Sequence, residues 1–151
     1  MAEFETVEEI LELAVAREED AHIFLMALAA RMVNPEMRKV FEELAAEELE
    51  HKARLELEII KTGRVVTDSK KKLYFETNDY AEDVGSEIDM DYKDMLTMAM
   101  QKEESSFRLY VDLASRVTNE DAYETLLALA EEEVRHKMRF EMEYDNILKT
   151  G

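Results

Sequence analysis

The sequence predicts an all-α protein, a four-helix bundle in which one long crossover joins the second helix to the third. Apolar residues make up 46% and charged residues 37% of the 151 residues, with only three glycines and one proline. This composition favours long helices and few turns. In four stretches the apolar residues recur at alternating spacings of three and four, as in helices that bury one face. The length suits one domain, residues 1–151.

The first two helices form a predicted hairpin over about residues 6–62. Thr6 followed by Glu9 has the pattern of a capping box at the start of a helix. Asn34 is a favourable N-cap for the second helix, and Pro35 suits its first position. Because the connection between the two helices is short, we expect them to be antiparallel neighbours.

Residues 63–90 lack helical spacing and are the predicted crossover. A helix of about 27 residues is roughly 40 Å long, and an extended segment of this size could span that distance. Such a crossover would make the second and third helices parallel. Within it, residues 79–84 could form a short helix.

The second predicted hairpin covers about residues 91–148 and repeats the first. Asp91 with Asp94 matches the capping pattern of the first helix 85 residues later, and Asn119 stands where Asn34 stood. With only two copies and a long period, we interpret this repeat as a duplication within one bundle and not as a solenoid.

Composition excludes several classes of function. A net charge of −18 argues against nucleic acids and anionic membranes as partners. The absence of cysteine excludes thiolate metal sites and thiol redox chemistry within these residues. The longest apolar run, residues 23–30, is far too short to span a bilayer, and the acidic start lacks a targeting pattern. We therefore expect a cytoplasmic protein that binds neither nucleic acid nor membrane.

Six ionisable residues occupy positions in the apolar seams that leucine or alanine should fill. They form two equal sets at the 85-residue offset: Glu18, Glu48 and His51, then Glu103, Glu133 and His136. In each set a glutamate precedes a histidine by three residues, so both side chains point to one face of a helix. The remaining glutamate of each set, Glu18 or Glu103, lies thirty residues before that glutamate.

Four buried carboxylates close together would be very costly unless cations neutralised them. Two divalent metal ions would balance the four negative charges. We predict that Glu48 and Glu133 bridge the two ions. The terminal ligands would then be Glu18 with His51 on one ion and Glu103 with His136 on the other. Mixed carboxylate and imidazole ligands suit iron or manganese, and zinc less well.

The sequence resembles the rubrerythrin and ferritin-like di-iron family. The resemblance rests on Ala-x3-Glu-x2-Ala-x2-Phe over residues 14–24 and on the segment 41–51, and both recur at residues 99–103 and 129–136. It implies a ferritin-like bundle that binds two iron ions, with manganese or zinc as alternatives. It also implies a homodimer that reduces hydrogen peroxide or dioxygen, with electrons from a separate donor such as a rubredoxin-like protein.

One residue departs from the rubrerythrin pattern. Rubrerythrins carry an additional glutamate three residues after the ligand of the third helix, and here that position is Ser106. The remaining six residues resemble the symmetric set of bacterioferritin-like sites. Two alternative functions therefore stay open, a ferroxidase or iron-handling protein and a non-catalytic metal-binding or partner-binding helical module.

Several other residues allow two interpretations. Tyr110 could be a catalytic tyrosine near the metals, as the resemblance implies, or a core residue. His22 could pack at the flank or serve as a ligand. Glu58 and Glu143 could form ion pairs at the end of the bundle or assist iron entry. Four glutamates beside predicted ligands are interpreted as mostly solvated charges: Glu19 with Glu104, and Glu47 with Glu132.

Overall fold

The computed structural model describes residues 6–62 and 91–150, and four helices account for nearly all of them. Their bounds are α1 Val7–Ala30, α2 Pro35–Lys61, α3 Tyr92–Ala114 and α4 Glu120–Thr150. The all-α prediction is confirmed, and the helix ends differ from the predicted ones by only a few residues. The predicted crossover with its short helix, residues 63–90, lies outside the described residues.

Side-chain caps explain where the helices begin. Thr6 and Glu9 form the predicted capping box, in which each side chain accepts a hydrogen bond from the other's backbone N–H, at 3.1 and 2.9 Å. Asn34, Asp91 and Asn119 each accept a hydrogen bond from a backbone N–H in the first turn of their own helix. Each such cap contributes about 1 kcal/mol by satisfying a donor that the helix leaves unpaired.

Contacts between the helices establish their directions. Each hairpin is antiparallel, as predicted. On the facing sides of α1 and α3, Arg17 contacts Ser106 while Asp20 contacts Lys102, so residue numbers rise along one helix as they fall along the other. Two hydrogen bonds between α2 and α4 show that these helices are also antiparallel. It follows that α2 and α3 run parallel, as a ferritin-like bundle requires.

Two apolar clusters fill the bundle, one towards each end. The first contains Phe41, whose ring centroid lies 5.8 Å from that of Phe140 and 5.9 Å from that of Tyr92. The second contains Leu11, Leu55, Leu113 and Leu126 at the opposite end. Burying a large apolar side chain contributes about 1.5–3 kcal/mol, so the clusters hold the four helices together. None of the described helices combines the length and the apolar character needed to cross a membrane.

Candidate metal centre

A layer of six ionisable side chains lies between the two apolar clusters. All six are at most 3% exposed, and every helix contributes at least one: Glu18 from α1, Glu48 and His51 from α2, Glu103 from α3, Glu133 and His136 from α4. They divide into two groups of four that share Glu48 and Glu133, and the donor atoms of each group lie within 4.8 Å of one another. The structure thus brings together all six residues that the sequence singles out.

The two histidines lie side by side at the centre of this layer. Their ring centroids are 5.5 Å apart, and the ring planes differ by 10°. Nδ1 of His51 lies 3.1 Å from an oxygen of Glu48 and 3.2 Å from one of Glu133. Nδ1 of His136 lies 3.6 Å from oxygens of both Glu48 and Glu103. Both histidines therefore direct Nδ1 at the carboxylates of this layer.

The chemistry of the donor atoms fits metal ions. Within the described residues, the buried atoms without a hydrogen-bond partner include both carboxylate oxygens of Glu48 and Glu103, one of Glu18, one of Glu133, and Nδ1 of His136. Buried polar atoms are normally hydrogen-bonded, because leaving one unpaired costs about 1–3 kcal/mol. Oxygen and nitrogen donors that converge in this way suit two cations bound between four carboxylates. That the six residues are ligands, and that Glu48 and Glu133 bridge, stays a prediction.

The electrostatics of the layer favour bound protons when no cation is present. Burial raises the pKa of Glu18 and of Glu103, and the charge of Glu133 raises both further. Burial alone would lower the pKa of His136, but hydrogen bonding and attraction to Glu48 raise it to about 9. The pKa of His51 is also raised, because its hydrogen bonds to carboxylates outweigh burial. Metal ions would have to displace these protons in order to bind.

Glu47 and Glu132 are partly solvated, with side chains 48% and 29% exposed. Each also contacts a histidine of the candidate centre, a role that the sequence-based interpretation missed. Nε2 of His51 lies 2.8 Å from Glu132, and Nε2 of His136 lies 2.9 Å from Glu47. A carboxylate only accepts, so Nε2–H is the donor and Nδ1 can offer its lone pair to a metal. Each glutamate thus orients the histidine of the opposite hairpin. The only signal in the sequence was that both occupy the same position in the repeat.

We expect Glu132→Gln and Glu47→Gln to weaken metal binding without unfolding the protein. An uncharged amide orients an imidazole less firmly and makes it a weaker ligand, which typically costs about 10–100-fold in metal affinity. Titration against a competing chelator measures the change. Glu131→Gln, on the exposed side of α4, is the matched control. Equal affinity in all four proteins would mean that these two glutamates have no orienting role.

Tyr110 lies at the edge of the layer and is fully buried. Its hydroxyl donates a hydrogen bond to Glu18. Burial raises the pKa of Tyr110, and the neighbouring charge of Glu18 raises it further, so the hydroxyl keeps its proton. The residue is therefore both part of the core and in contact with a predicted ligand.

A second buried polar cluster, which the sequence pattern did not predict, lies beside the layer between α1 and α3. Lys102 of α3 contacts Asp20 of α1, and both are at most 3% exposed. Arg17 of α1 donates to Ser105 at 2.7 Å and to Ser106 at 3.0 Å. Arg17 and Lys102 are related by the repeat, and each precedes a predicted ligand. The hydroxyl of Ser106 thus accepts from Arg17 where rubrerythrins carry their additional glutamate.

The structure assigns partners to the three remaining candidates. Nδ1 of His22 lies 3.0 Å from the backbone oxygen of Ala45, and His22 belongs to neither of the two groups found in the described residues. Glu58 forms an ion pair with Lys61 at 3.1 Å, and Glu143 forms one with Arg139 at 3.7 Å. These contacts fit the packing role for His22 and the end-of-bundle ion pairs for the two glutamates.

Comparisons with known proteins agree with this architecture. The family model described as Rubrerythrin matches residues 9–144. A hypothetical protein from Pyrococcus furiosus is similar in structure, with a TM-score of 0.69 and 24% identity over 99% of this chain and 94% of its own. A candidate ferritin-like diiron-carboxylate protein from Thermotoga maritima gives a TM-score of 0.72 and 22% identity over 93% and 95%.

Curated protein sequences contain no match at a significant level. The two solved structures are too distant in sequence to show more than the fold, and the fold is the ferritin-like bundle that the sequence predicts. The family model, in contrast, covers both helical hairpins and all six residues of the candidate centre. This chain therefore belongs to the rubrerythrin family.

Proposed function

We propose that this protein is a di-iron oxidoreductase that reduces hydrogen peroxide or dioxygen with electrons from a separate donor. One observation carries the proposal. Two buried groups of carboxylate and imidazole donors share Glu48 and Glu133 in a chain of the rubrerythrin family. A shared pair of carboxylates would hold two ions close enough to act on one small oxidant.

The donor set supports iron as the metal. Four carboxylates would balance the charge of two divalent ions, and the histidines add one nitrogen donor to each group. Glu18 and His51 would serve one ion, Glu103 and His136 the other, and Glu48 with Glu133 both. Manganese or zinc could occupy the same donors, and elemental analysis of the purified protein would distinguish them.

The chain's own residues would prepare the site for this chemistry. Iron held by these residues in the ferrous state would supply the two electrons that, with two protons, convert one hydrogen peroxide to two waters. The apolar clusters on either side of the layer limit the entry of water. Glu47 and Glu132 keep the histidines oriented, and Tyr110 holds Glu18 through its hydroxyl. Tyr110 could also relay a proton at the edge of the site, taking up another as it passes one on, so that its hydroxyl stays protonated.

The electrons would come from outside these 151 residues. The chain contains no cysteine and so lacks the four thiolates of a rubredoxin-type centre. A separate rubredoxin-like protein is a suitable donor. A cytoplasmic location would suit this cycle, because a reducing compartment returns the iron to the ferrous state.

Stopped-flow oxidation of the anaerobic, Fe(II)-loaded protein tests the proposal. We expect hydrogen peroxide to oxidise the iron faster than dioxygen does, with no growth of an iron mineral. Continued uptake and mineralisation of added Fe(II) would support a ferroxidase instead. Absence of reaction with either oxidant would leave a non-catalytic metal-binding module.

Tyr110→Phe removes the hydroxyl that donates a hydrogen bond to Glu18. If this hydroxyl delivers a proton, the variant should oxidise its iron more slowly than the wild type at unchanged iron content.

Metal removal should lower the melting temperature, and the loss should grow with pH. Glu18, Glu103 and both histidines have raised pKa values in the metal-free fold, so the stability they provide is lost as pH rises. For His136 this stability is lost between its unfolded pKa of 6.5 and its folded pKa of about 9. Metal-bound ligands carry no such protons. A metal at 100 times its Kd adds about 2.7 kcal/mol per site.

Differential scanning calorimetry of the two forms between about pH 5.5 and 8 measures this difference. We expect the melting temperatures of the metal-bound and metal-free forms to differ little at the acidic end and widely at the basic end. Protons and metal compete for the same atoms. Equal melting temperatures with and without metal at the basic end would contradict metal binding at this layer.

A further inference from the structure

The two halves of the metal layer have equivalent candidate ligands but different supporting contacts. The 85-residue repeat relates Glu18 to Glu103 and His51 to His136, so two ions bound here would meet the same types of donor atom. The residues behind these donors differ between the halves. We call the half with Glu18 and His51 the first position, and the half with Glu103 and His136 the second position.

A tyrosine supports the carboxylate of the first position only. The hydroxyl of Tyr110 donates a hydrogen bond to Oε2 of Glu18, and Oε1 of Glu18 has no hydrogen-bond partner among the described residues. The repeat counterpart of Tyr110 is Leu25, which offers no donor to Glu103. Both oxygens of Glu103 lack a partner in the same part of the chain. Glu18 is therefore held with one oxygen available to a cation, while Glu103 must become ordered when a cation binds.

An arginine supports the histidine of the first position. Nε2 of His51 lies 2.8 Å from one oxygen of Glu132, and Arg54 donates to the other oxygen of Glu132 at 2.7 Å. In the other half, Nε2 of His136 lies 2.9 Å from Glu47. Arg54 thus restrains the carboxylate that orients His51.

The repeat counterpart of Arg54 is Arg139, which does not repeat this contact. It pairs with two other glutamates, at 3.3 and 3.7 Å. Among the described residues, Glu47 has no basic partner besides its histidine, and its side chain is 48% exposed, against 29% for Glu132. The histidine of the second position is thus oriented by a carboxylate that can turn away into solvent.

The donor atoms also lie closer together at the first position. Nδ1 of His51 is 3.1, 3.2 and 3.5 Å from oxygens of three glutamates, whereas Nδ1 of His136 is 3.6, 3.6 and 3.8 Å from its three. Ligand atoms about 2.0–2.1 Å from one divalent ion, at right or tetrahedral angles, are about 2.8–3.4 Å apart. The first position is therefore nearly preformed. Its closer carboxylates also attract a cation more strongly.

We propose that Tyr110 and Arg54 make the two metal positions unequal, so that the first position fills first. The second position fills last and exchanges its ion more readily. Donors that are already in place avoid the cost of ordering them on binding. Because losing a supporting partner of a ligand typically costs about 10–100-fold in metal affinity, the positions should differ by about that factor. The inference rests on the proposed metal binding at this layer, but not on the identity of the oxidant.

Anaerobic titration of the metal-free protein with Co(II), in competition with a chelator, tests the order of filling. We expect two binding steps in the wild type. Repulsion between neighbouring ions can also separate two steps, so variants that keep one position provide the direct comparison. His136→Ala should bind one ion at nearly the affinity of the first wild-type step. His51→Ala should bind its single ion about 10–100-fold more weakly.

Four further variants test the residues that cause the difference. Tyr110→Phe should weaken the first step by about 10–100-fold. Arg54→Gln acts on the histidine only through Glu132 and should weaken the first step by about 10-fold, the lower end of that range. Leu25→Met and Arg139→Gln, the matched changes in the other half, should leave both steps unchanged. All four should still hold two ions at saturating Co(II), and circular dichroism checks that they are folded.

Three results would overturn the inference. Equal affinities of His51→Ala and His136→Ala would do so, as would a tighter ion in His51→Ala. Equal effects of Arg54→Gln and Arg139→Gln would show that the arginine does not distinguish the halves. Each of these results leaves the proposed function intact, because two ions still bind. Absence of Co(II) binding to the wild type would instead refute the proposed metal centre together with this inference.

Discussion

The Glu48→Ala, Glu133→Ala double variant will bind neither metal ion. Each of these carboxylates belongs to both ligand groups, so the change leaves each ion with one glutamate and one histidine. Two ligands do not hold iron against water and buffer. We expect the metal content after reconstitution and desalting to fall from two ions per chain to near zero, measured by elemental analysis.

Three comparisons make this result specific. Glu42→Ala with Glu131→Ala removes two exposed glutamates from the same helices and should retain both ions. Glu18→Ala should weaken mainly one of the two. The metal-free double variant should stay folded, because it loses two buried carboxylates that repel their neighbours. A folded double variant that still holds two ions would refute the bridging assignment.

Asp20→Ala will destabilise the protein by about 3–5 kcal/mol, the usual cost of removing one partner from a buried ion pair. Lys102 and Asp20 are both almost completely buried. Burial and the nearby charge of Arg17 lower the pKa of Lys102 to about 8, while Asp20 supports its charged form. Without the carboxylate, the fold must bury this ammonium with less compensation or release its proton. Urea unfolding of the metal-free protein measures the loss.

Two further variants separate burial from charge. Glu19→Ala removes the neighbouring residue's ion pair with Lys52, whose side chains are 25% and 28% exposed, and should cost at most about 1 kcal/mol. Asp20→Ala with Lys102→Met replaces the pair with apolar groups and should recover most of the stability. If Asp20→Ala costs no more than Glu19→Ala, the buried pair does not stabilise the fold.

The fold could be predicted because local patterns and global packing agree in this chain. Thr6, Asn34, Asp91 and Asn119 mark helix starts through hydrogen bonds to their own first turns, which depend on local sequence alone. The apolar seams between them specify which face of each helix is buried. Glu18, Glu48 and their counterparts stood out as candidate ligands for the same reason, since charged residues at seam positions must be neutralised.

Contacts outside the seams could not be predicted in this way. Glu47 and Glu132 look like ordinary charged helix residues until the opposite hairpin brings a histidine nitrogen to each. Asp20 lies at a position that helical periodicity assigns to the surface, yet α1 is buried there as well. Such partners are separated by about eighty residues in sequence, and one helix contains no information about the side chain that the next one presents.

The sequence by itself determined the four helices, their buried faces and the six residues that meet at the centre, because helical periodicity and the cost of burying charge act locally. Only the tertiary structure decided which carboxylate orients which histidine, that Arg17 contacts Ser106, and that Lys102 pairs with Asp20 inside the bundle. Those features depend on how the two hairpins are placed against each other, and that placement follows from packing over the whole bundle.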